Sequence, residues 1–154
     1  MSKDNKNGKI VAVSVSEKKG MKKRNVESVQ LKIDFGIVGD VHAGTKNRQV
    51  SLLAMEAIDK MKSKGLKLKP GDFAENITTQ GIDLLSLKIG DRLRIGQDVM
   101  LEISQIGKKC HTKCSIYYQA GDCVMPREGM FTRVLNGGVI KQGDTITNEA
   151  IKNV

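Results

Sequence analysis

Tryptophan is absent from this chain, and three phenylalanines and two tyrosines leave aromatics at 3 % of the residues. Binders of single-stranded nucleic acid interleave cations with stacking rings, a surface that a chain this poor in aromatics does not offer. No basic recognition helix stands out either, so nucleic acid is not an expected partner. Cysteine is scarce too: Cys110, Cys114 and Cys123 are the only three, all within 14 positions. An odd, clustered set argues against a disulfide framework and for a reducing compartment. No apolar run approaches the roughly 18 residues of a membrane span. The opening MSKDNKNGK is polar, and the IVAVSVS after it is short and interrupted by serine, which is no signal peptide. A cytoplasmic protein with no membrane partner is therefore expected. At 154 residues it should form a core without disulfide staples.

Positive charge is abundant, with a formal net of +9. The first 24 residues hold Lys3, Lys6, Lys9, Lys18, Lys19, Lys22, Lys23 and Arg24 against Asp4 and Glu17, a net of +6. Most of the excess thus lies in an N-terminal tail and in one loop around Gly20. It suits either a solvated charge run or a phosphate-bearing small ligand. Residues 1–8 carry no apolar side chain after Met1 and are expected to form a flexible basic tail ahead of a single domain over 9–150.

Period-two alternation predicts a strand at Ile10 to Ser16 with Val11, Val13 and Val15 on one face, and a second with Val29, Leu31 and Ile33. Leu53, Ala54, Ala57, Ile58 and Met61 fall at helical spacing. Ser51 is a candidate cap, Lys60, Lys62 and Lys64 sit towards the end, and Gly65 stops the pattern. This predicts one main helix from Leu53 to Lys64. Further on, Leu93 with Ile95, and Val99, Leu101 and Ile103, mark short strands between Gly-Asp and Gly turns. KQGDTI at Lys141 to Ile146 echoes KIGDRL at Lys88 to Leu93. Four to eight short strands and one helix, without regular βαβα alternation, predict a mostly β, α+β fold built on a small barrel.

Two stretches carry chemistry. In Gly107 to Phe131, the three cysteines lie among His111, Tyr117, Tyr118 and the cations Lys108, Lys109, Lys113 and Arg127. Neighbouring positive charge favours the thiolate, which makes Cys110, between Lys109 and His111, the candidate nucleophile or metal ligand. Cys114 and Cys123 are candidates to support or resolve it. Alternatively these thiols are small core hydrophobes, or Cys110, His111, Cys114 and Cys123 form a zinc-binding structural module. In Gly36 to Arg48, Gly39 and Gly44 permit tight turns and close backbone approach, while Asp40, His42, Asn47 and Arg48 are the polar groups delivered there. A lone histidine in such a loop also fits a purely structural, hydrogen-bonded role.

RQVSLL before a helix, AENITTQGIDL, LKIGDRLRIG and a cysteine shortly after a strand come one after another in an order that resembles the MOSC family. That family comprises the C-terminal domain of molybdenum cofactor sulfurases and its stand-alone bacterial relatives. The likeness runs from about Lys9 to Ile146. It aligns Gly39-Asp40-Val41-His42-Ala43-Gly44 with the family's Gly-Asp-x-His-x-Gly loop, Glu75-Asn76 with its Glu-Asn pair, and Cys110 with its signature cysteine. Where many relatives carry Pro-Arg-x-Pro-Cys, this chain has Ile106-Gly107-Lys108-Lys109-Cys110.

The resemblance implies a barrel akin to that of pyruvate kinase's small domain. It also implies a sulfur carrier or a molybdenum cofactor binder, with Cys110 as persulfide carrier or as ligand to the metal. A sulfurtransferase-like activity, or a part in a molybdenum-dependent oxidoreductase, goes with that. Molybdopterin is the implied cofactor, with no pyridoxal phosphate of the chain's own. The implied partners are a cysteine desulfurase or other sulfur donor and a molybdoenzyme. Lys22, Lys23, Gly39, Asp40, His42, Gly44, Arg48, Glu75, Asn76 and Arg127 are the implied cofactor-binding set. This loop, the Glu75-Asn76 pair and Cys110 are expected to converge on one cleft.

Overall fold

A computed structural model of the chain describes residues 7–18, 22–65, 67–107 and 128–149. Cys110, His111, Cys114, Cys123 and Arg127 lie outside the described residues.

Seven strands close into a barrel: β1 (Asn7–Val15), β6 (Ile77–Gln80), β5 (Val50–Ala54), β9 (Met130–Asn136), β8 (Val99–Ile106), β7 (Arg92–Ile95) and β11 (Thr145–Asn148), with β11 pairing back onto β1. β2 (Arg24–Val26) extends the sheet beyond β1, while β3 (Ser28–Lys32), β4 (Gly36–Ile37) and β10 (Gly138–Lys141) form a separate three-stranded sheet. Eleven strands thus stand among the described residues, more than the four to eight expected, because several are only two to four residues long. β5 and β6 run parallel, and a parallel pair needs a crossover. The helix α1 (Met55–Lys62) lies on that crossover. The fold is mostly β, a small closed barrel with α1 as its main helix among the described residues, as predicted.

Alternating apolar residues of β7, β8 and β11 fill the barrel as their period requires, with Leu93, Ile95, Val99, Leu101, Ile103 and Ile146 all buried. β1 departs from its alternation. A bulge between Ile10 and Ala12 shifts the register, so Ile10, Val13 and Val15 are buried while Val11 is only half-buried. β3 ends at Lys32, and Ile33, predicted to face inward with Val29 and Leu31, is 63 % exposed beside Asp34, whose φ is 49°.

The helix starts two residues later than its spacing suggests. Val50 to Leu53 are all buried because this strand is covered on both faces. Leu52 joins the barrel core, whereas Leu53 joins a second cluster with Ala57, Ile58, Met61, Phe73 and Phe131 beneath α1. A strand buried on both sides carries a continuous apolar run and merges with a helical pattern. Ser51 is correspondingly not the cap. Ala54 holds that position without a side-chain bond, and the Ser51 hydroxyl lies within 3.0 Å of the Asn76 amide instead.

The Lys-x-Gly-Asp echoes are one turn used three times. In Lys69 to Asp72, Lys88 to Asp91 and Lys141 to Asp144, the aspartate carboxylate accepts from the amide of its own lysine at 3.1, 2.8 and 2.9 Å. The aspartate amide donates to the same lysine's carbonyl, and the glycine has φ of 94°, 97° and 93° respectively. The second and third turns are alike in a further bond. The aspartate carbonyl accepts from the Ile103 amide in one and from the Ile10 amide in the other, which places β7 and β11 alike against their neighbours.

Candidate functional site

The Gly39-Asp40 turn comes directly after β4 and lies against the end of β1. Its main chain is the same turn again, with the Asp40 amide donating to the Ile37 carbonyl and Gly39 at φ 90°. Its carboxylate, however, points away from its own turn. Oδ1 accepts from the Ser16 amide at 3.0 Å and from the Lys23 ammonium at 2.8 Å, and Oδ2 accepts from the His42 amide at 3.1 Å. Burial by itself would raise the Asp40 pKa. Donors from His42, Lys23 and Ser16, with the lysine's charge, outweigh that and hold the carboxyl well below the usual carboxylate range.

Lys23 sits in a run of charge, yet it is 1 % exposed. Its ammonium meets three acceptors: Asp40 Oδ1, Ser16 Oγ at 3.0 Å and His42 Nδ1 at 3.2 Å. The backbone explains why it goes inward while Lys22 and Arg24 stay exposed. The Lys23 amide donates to the Gly71 carbonyl at 2.9 Å, and a Cβ on Gly71 would come within 2.3 Å of the Lys23 carbonyl oxygen. Only glycine allows that approach. The Gly71 loop is in turn set by Glu75. Its buried carboxylate accepts from the amides of Gly71 and Phe73 at 2.8 and 3.2 Å and from the Thr78 hydroxyl at 2.8 Å. Burial pushes the Glu75 carboxyl above its ordinary value, against the pull of those donors. Asn76 ties the same loop to two barrel strands. Its Oδ1 accepts from the Ser51 amide at 3.0 Å, and its Nδ2 donates to the Ser14 carbonyl at 3.1 Å.

The structure thus brings Lys23, Asp40 and His42 together, and Glu75 and Asn76 stand one layer behind them as loop-shaping groups. Gly44 shapes the far end of the His42 loop, its amide donating to the Phe35 carbonyl at 2.7 Å. Arg48 makes its contacts elsewhere. Its Nε donates to Gln105 Oε1 at 3.1 Å, and its guanidinium lies 5.5 Å from the centre of the Phe131 ring. Gln105 Nε2 donates to the Gly107 carbonyl at 3.0 Å, and the Gly107 amide donates to the Gly129 carbonyl at 2.7 Å. Arg48 therefore stands at the root of the segment that carries the three cysteines.

Two recesses adjoin the Lys23 cluster through exposed Lys22. One, of about 330 Å³, is lined by Val15, Ser16, Glu17, Lys18, Lys22 and Arg24. The other, of about 640 Å³, is lined by Lys22, Lys62, Lys67, Leu68, Lys69 and Asp72. Both carry more cations than carboxylates, which favours anionic ligands. Among the described residues, no three His, Cys, Asp or Glu side chains are grouped to hold a metal ion, and no helix is long and apolar enough to cross a membrane.

Sequence reasoning assigned no individual role to Ser16, Gln49 or Gln105. Gln49 is buried and bonds Asp34, Thr45 and the Val134 amide at 3.0 Å each, locking the end of the His42 loop to β9. Its place in the RQVSLL stretch, beside Arg48, was the available signal. Ser16 had none beyond the serine alternation of its strand.

No curated protein sequence matches the chain. Among solved structures it is similar to the YuaD protein of Bacillus subtilis, at 19 % identity and a TM-score of 0.75 over 91 % of this chain and 94 % of that one. YiiM of Geobacillus stearothermophilus is similar at 19 % identity and a TM-score of 0.65, covering 92 % of this chain and 74 % of the other. YiiM of Escherichia coli is similar at 18 % identity and a TM-score of 0.63, covering 92 % and 69 %. At these identities the likeness speaks for the fold alone. The sequence pattern described as the MOSC domain matches residues 39–147, from the Gly39-Asp40 turn to the last barrel strand, and the chain belongs to the MOSC family.

Proposed function

We propose that this protein binds molybdenum cofactor through the basic face beside the Lys23–Asp40–His42 cluster, with Cys110 as the thiolate on the metal. The observation that carries the reading is the cationic recess of Lys18, Lys22 and Arg24 against that cluster, a donor set suited to a phosphate-bearing ligand. Lys22, Arg24 and His42 would hold the phosphate end, and Gly39 and Gly44 let the loop approach closely. When bound, the cofactor supplies a redox-active molybdenum centre, for which a soft thiolate is a fitting ligand. Lys23 and Asp40 act from behind by fixing His42, and Glu75 and Asn76 fix the loop that holds Lys23. Arg48 and Gln105 anchor the root of the thiol-bearing segment, and Arg127 belongs to that segment.

The cluster of three cysteines favours a second reading, persulfide carriage. The Cys110 thiolate would attack the outer sulfur of a donor persulfide, such as that of a cysteine desulfurase, forming an S–S bond as the donor thiolate leaves. A molybdoenzyme or its cofactor would then take the outer sulfur and release the Cys110 thiolate. Cys114, next to Lys113, is the nearest resolving partner.

Native mass spectrometry separates the two readings. Wild-type protein incubated with molybdenum cofactor should retain it, and Cys110→Ser should not, while Cys114→Ser and Cys123→Ser keep most of it. A gain of one sulfur after incubation with desulfurase and cysteine, without cofactor retention, favours the carrier. Undiminished loading of Cys110→Ser in both arms removes Cys110 from either role.

A further inference from the structure

The three protons of the Lys23 ammonium have three acceptors, Asp40 Oδ1, Ser16 Oγ and His42 Nδ1. The site is closed at that end, the side chains of Lys23 and Asp40 both being 0 % exposed. An ammonium has donors only, so Nδ1 can meet it only with its lone pair. A proton on Nδ1 would set one N–H against another and leave a buried ammonium proton without an acceptor, a strongly disfavoured state. The ring proton therefore belongs on Nε2. The His42 side chain is 22 % exposed, and Nε2 lies across the ring from the nitrogen that meets the ammonium.

We infer that His42 is held as the Nε2–H tautomer and that its outer edge is a hydrogen-bond donor for an anionic oxygen of the phosphate class. Two familiar histidine roles conflict with this geometry. A metal on Nε2 requires the proton on Nδ1, where a metal-bound histidine normally donates to an acceptor; here the group within hydrogen-bond distance of Nδ1 is the ammonium at 3.2 Å, and the Asp40 carboxylate oxygen Oδ2 stands outside it at 3.6 Å. A general base at Nε2 would end protonated on both nitrogens against the same ammonium. Donation from Nε2 disturbs nothing, and the neighbouring recess, floored by Ser16 and bearing Lys18, Lys22 and Arg24 against Glu17, supplies the positive field that an oxyanion needs. The inference names the group that this face takes and so rests on the cofactor-binding reading, although its test needs no molybdenum.

Long-range proton–nitrogen NMR on the full chain with labelled histidine reads the tautomer directly, with His111→Gln assigning the second of the two histidines. In unliganded protein near neutral pH, His42 should show an unprotonated Nδ1 and a protonated Nε2. Inorganic phosphate should then shift the His42 ring saturably. His42→Gln, whose amide keeps a donor near the same place, should retain phosphate affinity. His42→Ala should weaken it by about tenfold, the usual order for a charge-assisted hydrogen bond. One equivalent of zinc should leave the ring signals of His42 unchanged. An Nδ1–H tautomer, a doubly protonated ring or loss of the Nε2 proton on adding zinc overturns the tautomer. The expected tautomer without a saturable phosphate response, or equal affinity in His42→Ala, overturns the ligand class. Either failure leaves the Cys110 reading standing, and failure to retain molybdenum cofactor leaves the tautomer standing.

Discussion

The Lys-x-Gly-Asp turns and the Gly39-Asp40 turn share one main-chain geometry and use their aspartates in opposite ways. Asp72, Asp91 and Asp144 fold back on the amide three residues earlier and complete their own turns. Asp40 leaves its turn open and gathers Ser16 and Lys23 from other parts of the chain, together with the amide of His42 two residues on. The first arrangement is local and repeatable, which is why it recurs at three places in the chain, two of them directly before a strand. The second depends on what the fold brings within reach. A Gly-Asp pair thus marks a turn reliably, whereas its chemistry is decided by its tertiary neighbours.

Removing one partner of the Asp40 pair should produce the largest effect. Lys23→Ala or Asp40→Ala leaves a buried charge alone and should cost about 3–5 kcal/mol in urea denaturation, whereas a Lys23→Met/Asp40→Leu double variant should recover part of that loss. A double-variant loss equal to the sum of the two single losses would mean that the pair is not coupled.

The pH dependence of stability should come next and should differ in sign at two carboxyls. Asp40 is held below its ordinary 3.8, so its contribution is complete above that value and is lost as the pH falls towards the folded-state pKa. Asp40→Asn should flatten this acid limb. Glu75 is raised above its ordinary 4.5, so its contribution is complete below that value and is lost as the pH rises through the folded-state pKa. Glu75→Gln should remove that opposite slope. Denaturation midpoints measured across acidic and neutral pH for both variants and the wild type test the two signs together.

The local turns should show the smallest effect. Asp91→Ala and Asp144→Ala each remove a turn-closing bond and should cost about 0.5–1.5 kcal/mol, with no change at the His42 ring. A perturbed His42 spectrum in either variant would break the separation between local and gathered aspartates.

Much of the frame was legible because it rests on local rules. The strands around Leu93 to Ile103 obey period two, and the echo of KIGDRL in KQGDTI is a true structural repeat. Where a second layer intervenes, the pattern misleads. Leu53 looks helical because its strand is covered on both faces, and Val11 looks inward because a bulge is invisible in alternation. The loop glycines and Asp40, His42, Glu75 and Asn76 were visible as residues, but the burial of Lys23 was not. Among MKKR, nothing distinguishes the middle lysine until Gly71 closes on its backbone. The contact that decides the site is thus made by residues 48 apart in sequence.

The hydrogen bond between Gly107 and Gly129 sets how freely the intervening stretch can vary among relatives. A segment whose two ends are fixed side by side by the barrel behaves as a cassette, since changing its length does not move the strands that carry it. The entropy of closing a segment between fixed ends grows only logarithmically, so a doubling of length adds roughly 0.6 kcal/mol. Residues that bear the thiols can accordingly be lengthened, shortened or rewritten at little expense to the frame. Whatever residues lie between, the frame asks only that Gly107 and Gly129 stay paired.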